Sequence, residues 1–173
     1  MENKSEIRIY AACLAAYNNG ILHGAWIDAE QTVEDIRAEI SSMLAASPMA
    51  GAEEYAIHDY EGFGGVRISE YEEIGRVAAI AAFIAEHGNL GAELIVYYGG
   101  DLGDATDALD DRYLGKYEGL AHYVQSITEE CLSVPESLRF YIDWQRMARD
   151  AEMSGEVFTI ETAQDEVHVF LAG

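Results

Sequence analysis

A chain of 173 residues that is 50% apolar and 10% aromatic can bury a core, which argues against wholesale disorder. Its 32 acids against 10 bases leave a formal charge of −22, which argues against a nucleic-acid binder that works through phosphate contacts. No run of about 18 apolar residues predicts a membrane span, "MENKSEIRIY" lacks the apolar core of a signal peptide, and Cys13 and Cys131 match no metal spacing, so they read as reduced, buried thiols of a cytoplasmic protein, with a disulfide as the other reading.

Residues 7–16 and 21–29 read as two strands, with "YNNG" between them as a hairpin turn signal. Thr32 is placed to cap a helix, with Asp35 as the acid of the capping box. Val33, Ile36, Ile40 and Leu44 give that helix its apolar stripe, and "SPMAG" ends it. A third strand in "EEYAIHDYEGFGG" closes a β–β–α–β unit near residue 64. Further on, Ile74, Val77, Ala78, Ala81, Phe83 and Ile84 repeat at helical spacing. "EHGNLG" breaks that helix, "AELIVYYGG" resumes it, and "DLGDATDALDD" is a short helix capped by Asp101. "RYLGKYEG" reads as a strand and "LAHYVQSITEE" as a helix. The stretch "VPESLRFYIDWQRMARDAEMSG" is helical in large part, with Pro135 near a start and Gly155 past the end. "EVFTIE" and "EVHVF" form a closing hairpin around "TAQD". The expected fold class is α+β, in three modules at 1–64, 65–111 and 112–173: a small β–β–α–β domain, a helical middle domain and an α+β C-terminal domain.

The acidity is even. Residues 1–61 hold 11 acids and 3 bases, residues 62–112 hold 10 and 3, and residues 113–173 hold 11 and 4. An acidic tail would concentrate the charge in one block. Here the whole folded surface must be negative, well beyond the magnitude of about 2–8 that keeps a small domain soluble. A basic partner, a halophilic source or cation binding would each account for the excess.

The densest stretch is 101–111, and it fails the metal templates. Counted from Asp101, an EF-hand loop would need oxygen ligands at Gly103 and Ala105, glycine at Thr106 and glutamate at Arg112. A D-D-x-x-D motif fails at Leu114. At about 100° per residue, Leu102, Ala105 and Leu109 share one buried stripe. Asp101, Asp104, Asp107, Asp110 and Asp111 fan over the other side. As an α-helix this stretch would rise about 15 Å, or roughly one charge per 3–4 Å, near the 3.4 Å charge spacing of one DNA strand.

Other chemistry is sparse. His58 and Asp59 sit among Glu53, Glu54 and Glu61, but a strand would point them to opposite faces. His23, His87, His122 and His168 are scattered singly and read as structural or exposed. "GFGG" at 62–65 is too short for a dinucleotide fingerprint, and Ser133 and Ser137 lie in no nucleophile elbow. The chain is expected to be neither an enzyme nor a cofactor binder.

Several long segments in one order, "ACLAAYNNGILHGAWIDA", "EEYAIHDYEGF", "ALDDRYLGKYEGLAHYV", "PESLRFYIDWQRMARD", "GEVFTIE" and "DEVHVF", resemble the ArdA family of antirestriction proteins over nearly the full length. The chain departs locally at "MENKSE" and at "GGVRIS" with Arg67. The resemblance implies an elongated, three-domain homodimeric DNA mimic, of a kind carried by conjugative plasmids and transposons. It would occupy the DNA-binding groove of type I restriction–modification enzymes, in their methyltransferase core. The acids implied in that surface are Glu34, Asp35 and Glu39; Glu53, Glu54, Asp59 and Glu61; Glu70, Glu72, Glu73, Glu86 and Glu93; Asp101, Asp104, Asp107, Asp110 and Asp111; and Glu118, Glu129 and Glu130. The family's antirestriction motif maps to Leu114–Glu130, including Gly115, Tyr117, Glu118, Leu120, Tyr123, Glu129 and Glu130. The dimer contact maps near 108–118, with Ala108, Leu109, Tyr113, Leu114 and Tyr117 as candidates. No metal, no bound nucleic acid and no membrane are implied. Two other classes fit the composition: a carboxylate-metal hydrolase using Asp107, Asp110 and Asp111 or the acids near His58, and a general acidic adaptor for basic proteins.

Overall fold

In the computed structural model, which describes residues 6–173, the chain divides into two units, Met1–Gly100 and Asp101–Gly173. All of "MENKSE" except Glu6 lies outside the described residues. Both units combine helices with a small antiparallel sheet, so the fold class is α+β.

The first unit is built on β1 (Arg8–Cys13), the middle strand of a sheet ordered β2-β1-β3. Ile9, Ala11, Ala12 and Cys13 are buried along it. It pairs antiparallel with β2 (Gly24–Asp28) from Arg8↔Asp28 to Ala12↔Gly24. The connection is not the tight turn expected at "YNNG": Leu14–Asn18 form a helical turn, α1, that buries Ala16. Gly20, at φ 75°, ends it, with its N–H donating to Tyr17 O and that of Ile21 to Ala16 O. The glycine was a helix-terminating signal rather than a hairpin signal.

Helix α2 (Val33–Ala45) starts where expected, with Thr32 Oγ1 accepting from Asp35 N at 3.1 Å. It buries Ile36, Ile40 and Met43, while Val33 and Leu44 stay half-buried. β3 (Tyr55–Glu61) pairs with β1 with a bulge: Tyr10 and Ala11 face Asp59 and Ile57, leaving His58 as the extra residue. At the exit of β3, Gly62 has φ 82°, and a Cβ there would lie 2.6 Å from Glu6 O, so the chain can turn closely past its own start only with glycine.

Helix α3 (Ile74–Tyr97) is two helices joined at Gly88, whose φ 60° and ψ −143° are not helical. This is the break expected at "EHGNLG". Ile74, Val77, Ile80, Ala81, Phe83 and Ile84 are buried before it, and Ala92, Leu94 and Ile95 after it. Ala78, counted in the expected stripe, is half-buried. By length and composition α3 could cross a membrane, with a mean hydropathy of 1.3 over 18 residues. The break at Gly88 leaves neither part near the about 20 residues a span needs, and the buried side chains of α3 pack in the core of this unit with those of β1 and α2.

In the second unit, α4 (Leu102–Asp107) is capped by Asp101, whose Oδ1 accepts from Asp104 N at 2.9 Å. The expected helix to residue 111 does not continue as α: Ala108–Arg112 widen into a π-helical turn that leads into β4 (Tyr113–Tyr117). α5 spans Leu120–Cys131, α6 Glu136–Arg139 and α7 Trp144–Met153. The expected single helical stretch after Pro135 is therefore broken, because Asp143 caps a new helix by accepting from Arg146 N at 3.0 Å. β5 (Val157–Ala163) and β6 (Glu166–Leu171) form the expected closing hairpin, and β4 adds to it in the order β4-β6-β5. Phe158 stacks on Phe170 at 5.0 Å in this sheet. Ala121, Val124 and Ala148 form the small core between α5 and α7, with Trp144 and Tyr123 against it.

Candidate functional site

The acids named from the sequence are held by short-range features of the chain. Thr32 Oγ1 donates to Asp35 Oδ2 at 2.7 Å, and Gln31 donates to Glu39 at 2.6 Å. Glu34 and Asp35 occupy the first turn of α2, where the helix dipole favours negative charge. Asp59 and Glu61 stand on β3, and Glu53 and Glu54 precede it. Glu70 follows a segment tied back to β3 by Ile57 N–H donating to Glu70 O at 2.8 Å. Glu73 is the residue before α3.

Most of these side chains face solvent. Glu34, Asp35, Glu39, Glu53, Glu54, Asp59, Glu61, Glu70, Glu73 and Glu86 are exposed in the first unit, whereas Glu72 and Glu93 are half-buried. In the second unit Asp101, Asp104, Asp107, Asp110, Asp111, Glu118 and Glu130 are exposed, and Glu129 is half-buried. The stripe beneath the aspartates is Ala105 and Ala108, both at 0% exposure, with Leu102 and Leu109 half-buried beside them. The π turn brings Ala108 inward, a shift that α geometry alone did not foresee.

Few cations offset this charge. Arg8 binds Glu61 through Nη2 at 2.8 Å and Nε at 2.9 Å, and lies over Trp26 at 4.7 Å. Arg76 meets Glu72 at 3.3 Å and Arg139 meets Glu129 at 3.9 Å. His58, His87 and His122 lie within 3.5–3.8 Å of Glu70, Glu86 and Glu118 and carry charge only when protonated.

Among the described residues, no three His, Cys, Asp or Glu side chains come together as a metal site. Asp107, Asp110 and Asp111 are exposed around the α-to-π transition and form no such group, and His58 has Glu70 beside it without a third ligand. His58 and Asp59 do not alternate as expected. The bulge leaves both exposed, with Tyr17 edge-on to His58 at 4.7 Å. Cys13 is buried, its thiol 3.3 Å from Ser47 Oγ, which lowers its pKa together with backbone N–H groups although burial acts the other way. Cys131 is exposed, which corrects the expectation of two buried thiols, and neither forms a disulfide.

The motif region folds as a strand and the helix that follows. A bulge pairs Tyr113 with Phe170 and Gly115 with Val169, so Leu114 is the extra residue and is half-buried. Gly115, at φ 123°, supplies the backbone that this bulge needs. Tyr117 and Tyr123 meet edge to face at 5.3 Å, and Leu120 packs on the α5–α7 core. Of the dimer candidates, Ala108 is fully buried inside its own unit, so its methyl group is not available to a second copy. Leu109 and Tyr117 are half-buried, and Tyr113 is 38% exposed with its ring against Phe170.

Sequence reading missed two features. His168 is buried, between Tyr113 and Thr162; only its place in the alternation of "EVHVF" signalled it. Phe140 and Tyr141 are almost fully exposed; nothing in their apolar character signalled it.

Among the curated proteins compared, none matches the chain. A protein-family model described as "Antirestriction protein (ArdA)" matches residues 9–166, which runs from β1 to the first residue of β6 and takes in α3 and every acid named above. The chain belongs to the ArdA family of antirestriction proteins.

Proposed function

We propose that this protein inhibits restriction stoichiometrically, as an acidic mimic of duplex DNA that occupies the DNA-binding groove in the methyltransferase core of type I restriction–modification enzymes. The observation that carries the reading is the dispersal of solvent-facing carboxylates over both units, on α2, β3, α4 and the turns between, without convergence on a site. Duplex DNA carries about one phosphate per 1.7 Å of axis. The net charge of −22 matches about 11 base pairs and that of a dimer about 22. The carboxylates need only fixed positions, and caps, strands and helix turns provide them.

The protein works in the cytoplasm, where its target and the cell's DNA are, and needs neither cofactor nor membrane. It acts as a homodimer through its C-terminal region, where the family resemblance implies a contact near 108–118, around Leu109, Tyr113, Leu114 and Tyr117. The modules 1–64, 65–111 and 112–173 are the proposed segments of the mimic. A competition titration tests the mechanism: labelled duplex bound to a type I methyltransferase core should be displaced by the protein, and excess duplex should restore binding. Inhibition that added duplex leaves unchanged would sink the mimic.

A further inference from the structure

The second unit holds an open groove of about 530 Å³ between α5, α7 and the paired ends of β5 and β6, where Val157 faces Leu171. Binding pockets span about 300–1,000 Å³. Val124 and Val157, both buried, lie deepest in it. Tyr123 is half-buried along one side, and Ile127, Met147 and Leu171 are 38–45% exposed, so apolar surface opens to solvent there. The two hydroxyls in the groove spend their hydrogens on their own helices. Thr128 Oγ1 donates to Val124 O at 2.6 Å, and Ser154 Oγ donates to Ala151 O at 3.0 Å. Backbone bonds tie the walls together: Glu156 N–H donates to Ala151 O at 3.3 Å, and Ala172 N–H donates to Glu156 O at 3.0 Å.

Charge says what fits this groove. Among the described residues, the charged side chains that line it are Asp150 and Glu156, both exposed and neither in an ion pair. The flanks keep the same sign: α5 and α7 add Glu129, Glu130 and Glu152, against Arg146 and Arg149. An apolar cleft with a carboxylate rim suits a cationic amphipathic segment, whose apolar side chain enters while Lys or Arg neighbours meet the rim. Nucleic acid and acidic lipid headgroups would meet those carboxylates with like charge, and a second copy would bring its own −22. A protein that binds DNA carries the required cations around its phosphate sites. A phosphate backbone offers no apolar socket. A contact here therefore adds what imitation of charge lacks, a part of the affinity that salt does not screen.

We infer that the α5–α7 groove receives a basic amphipathic segment of the DNA-binding target, with an apolar side chain seated against Ile127 and Met147 and cations at Asp150 and Glu156. The inference rests on the proposed function for its target and names a second, apolar mode of holding it.

Calorimetry of the full chain against a type I methyltransferase core, over a salt series with duplex as the reference ligand, tests it. Duplex affinity should fall about a thousandfold or more between about 50 and 200 mM salt. The wild-type protein should lose affinity at first and then level off. Ile127→Ser/Met147→Ser should bind about tenfold more weakly at every salt concentration, as loss of apolar anchors does. Both side chains are partly exposed, so circular dichroism should be unchanged. Asp150→Asn/Glu156→Gln should weaken binding about threefold at low salt only, since exposed pairs are worth less than about 1 kcal/mol and are screened. A wild type whose affinity falls as steeply as that of duplex, without levelling off, overturns the inference with no variant needed. So does a folded Ile127→Ser/Met147→Ser protein that binds as tightly as wild type. If that variant instead loses self-association in sedimentation velocity while its affinity for the core is kept, the groove holds a second copy and the inference falls. Excess duplex separates the two readings. Duplex that fails to displace the wild type while the double variant binds weakly sinks the mimic and leaves the groove. Duplex that displaces wild type and double variant alike, at equal affinities, sinks the groove and leaves the mimic.

Discussion

The hydroxyl of Tyr113 on β4 lies 2.7 Å from Nδ1 of His168 on β6, and Nε2 of the same ring lies 3.2 Å from Thr162 Oγ1 on β5. One buried imidazole thus ties all three strands of the C-terminal sheet. The neutral ring fits both contacts: Tyr113 donates to Nδ1, and Nε2–H donates to Thr162. Burial, with Glu166 adding to it, raises the Tyr113 pKa, which keeps that hydroxyl a donor.

The first prediction is a loss of stability on acidification. Burial pushes the His168 pKa below its ordinary value; Lys116 acts the same way, and Glu166 opposes them. The folded chain therefore resists a proton that the unfolded chain accepts. Stability from this group is complete above the unfolded pKa of about 6.5 and is lost as pH falls through the folded value. Thermal unfolding of the wild type and of His168→Asn should show it. The variant should cost about 1–3 kcal/mol at neutral pH by orphaning Tyr113 or Thr162, and the gap should narrow as pH falls below about 6.5. A constant gap across that window would assign the pH dependence elsewhere.

The second prediction concerns Gly88. Its φ 60° and ψ −143° lie where a side chain is strained, yet a Cβ there would meet nothing within 4 Å. The cost of Gly88→Ala is therefore backbone strain alone, about 1–3 kcal/mol. Straightening α3 could relieve that strain only by displacing the buried Ile84 or Ala92 on either side. Denaturant titration should show a lower midpoint with an unchanged slope; an unchanged midpoint would mean that the kink is not required.

Element types were legible where one residue decides the geometry. Thr32, Asp101 and the break at Gly88 act through local hydrogen bonds or through φ, and the structure has them where the sequence placed them. What escaped depends on long-range packing. The Ala-rich turn at Leu14–Asn18 forms because Ala16 finds a buried site, and the π turn forms because Ala108 does. The bulge at His58 needed the register with β1. The dispersed acids could be read directly because exposed charge needs no partner, whereas the exposure of Phe140 and Tyr141 contradicts what their apolarity suggests.

The third prediction separates a mimic from a metal enzyme. The carboxylates at 101–111 do not converge among the described residues. Calorimetry with Mg²⁺, Mn²⁺ or Ca²⁺ should thus give weak, diffuse binding that salt abolishes. A tight one-to-one isotherm, accompanied by hydrolytic turnover, would establish the hydrolase reading instead.

The fourth prediction is that charge is shared. Asp104, Asp107, Asp110 and Asp111 are exposed on successive turns, and each supplies one of the chain's 32 acids. If the target reads a field rather than a contact, removing one charge shifts affinity by less than about 1 kcal/mol, the usual worth of an exposed pair. Asp110→Asn should therefore leave inhibition within about fivefold of wild type. Reversing all four to lysine changes the local charge by eight and should weaken inhibition by far more, since repulsion replaces attraction along a whole face. Asp101 is kept out of that set because its carboxylate caps α4, and Asp101→Ala should cost about 1 kcal/mol of stability by itself. Salt discriminates further: affinity for a DNA-binding target should fall steeply with log salt as counterions are released, and the quadruple variant should show a shallower slope. A general adaptor would bind a histone as tightly as a restriction enzyme with the same slope, and a single aspartate that abolished inhibition in a folded dimer would make this a contact site, not a field.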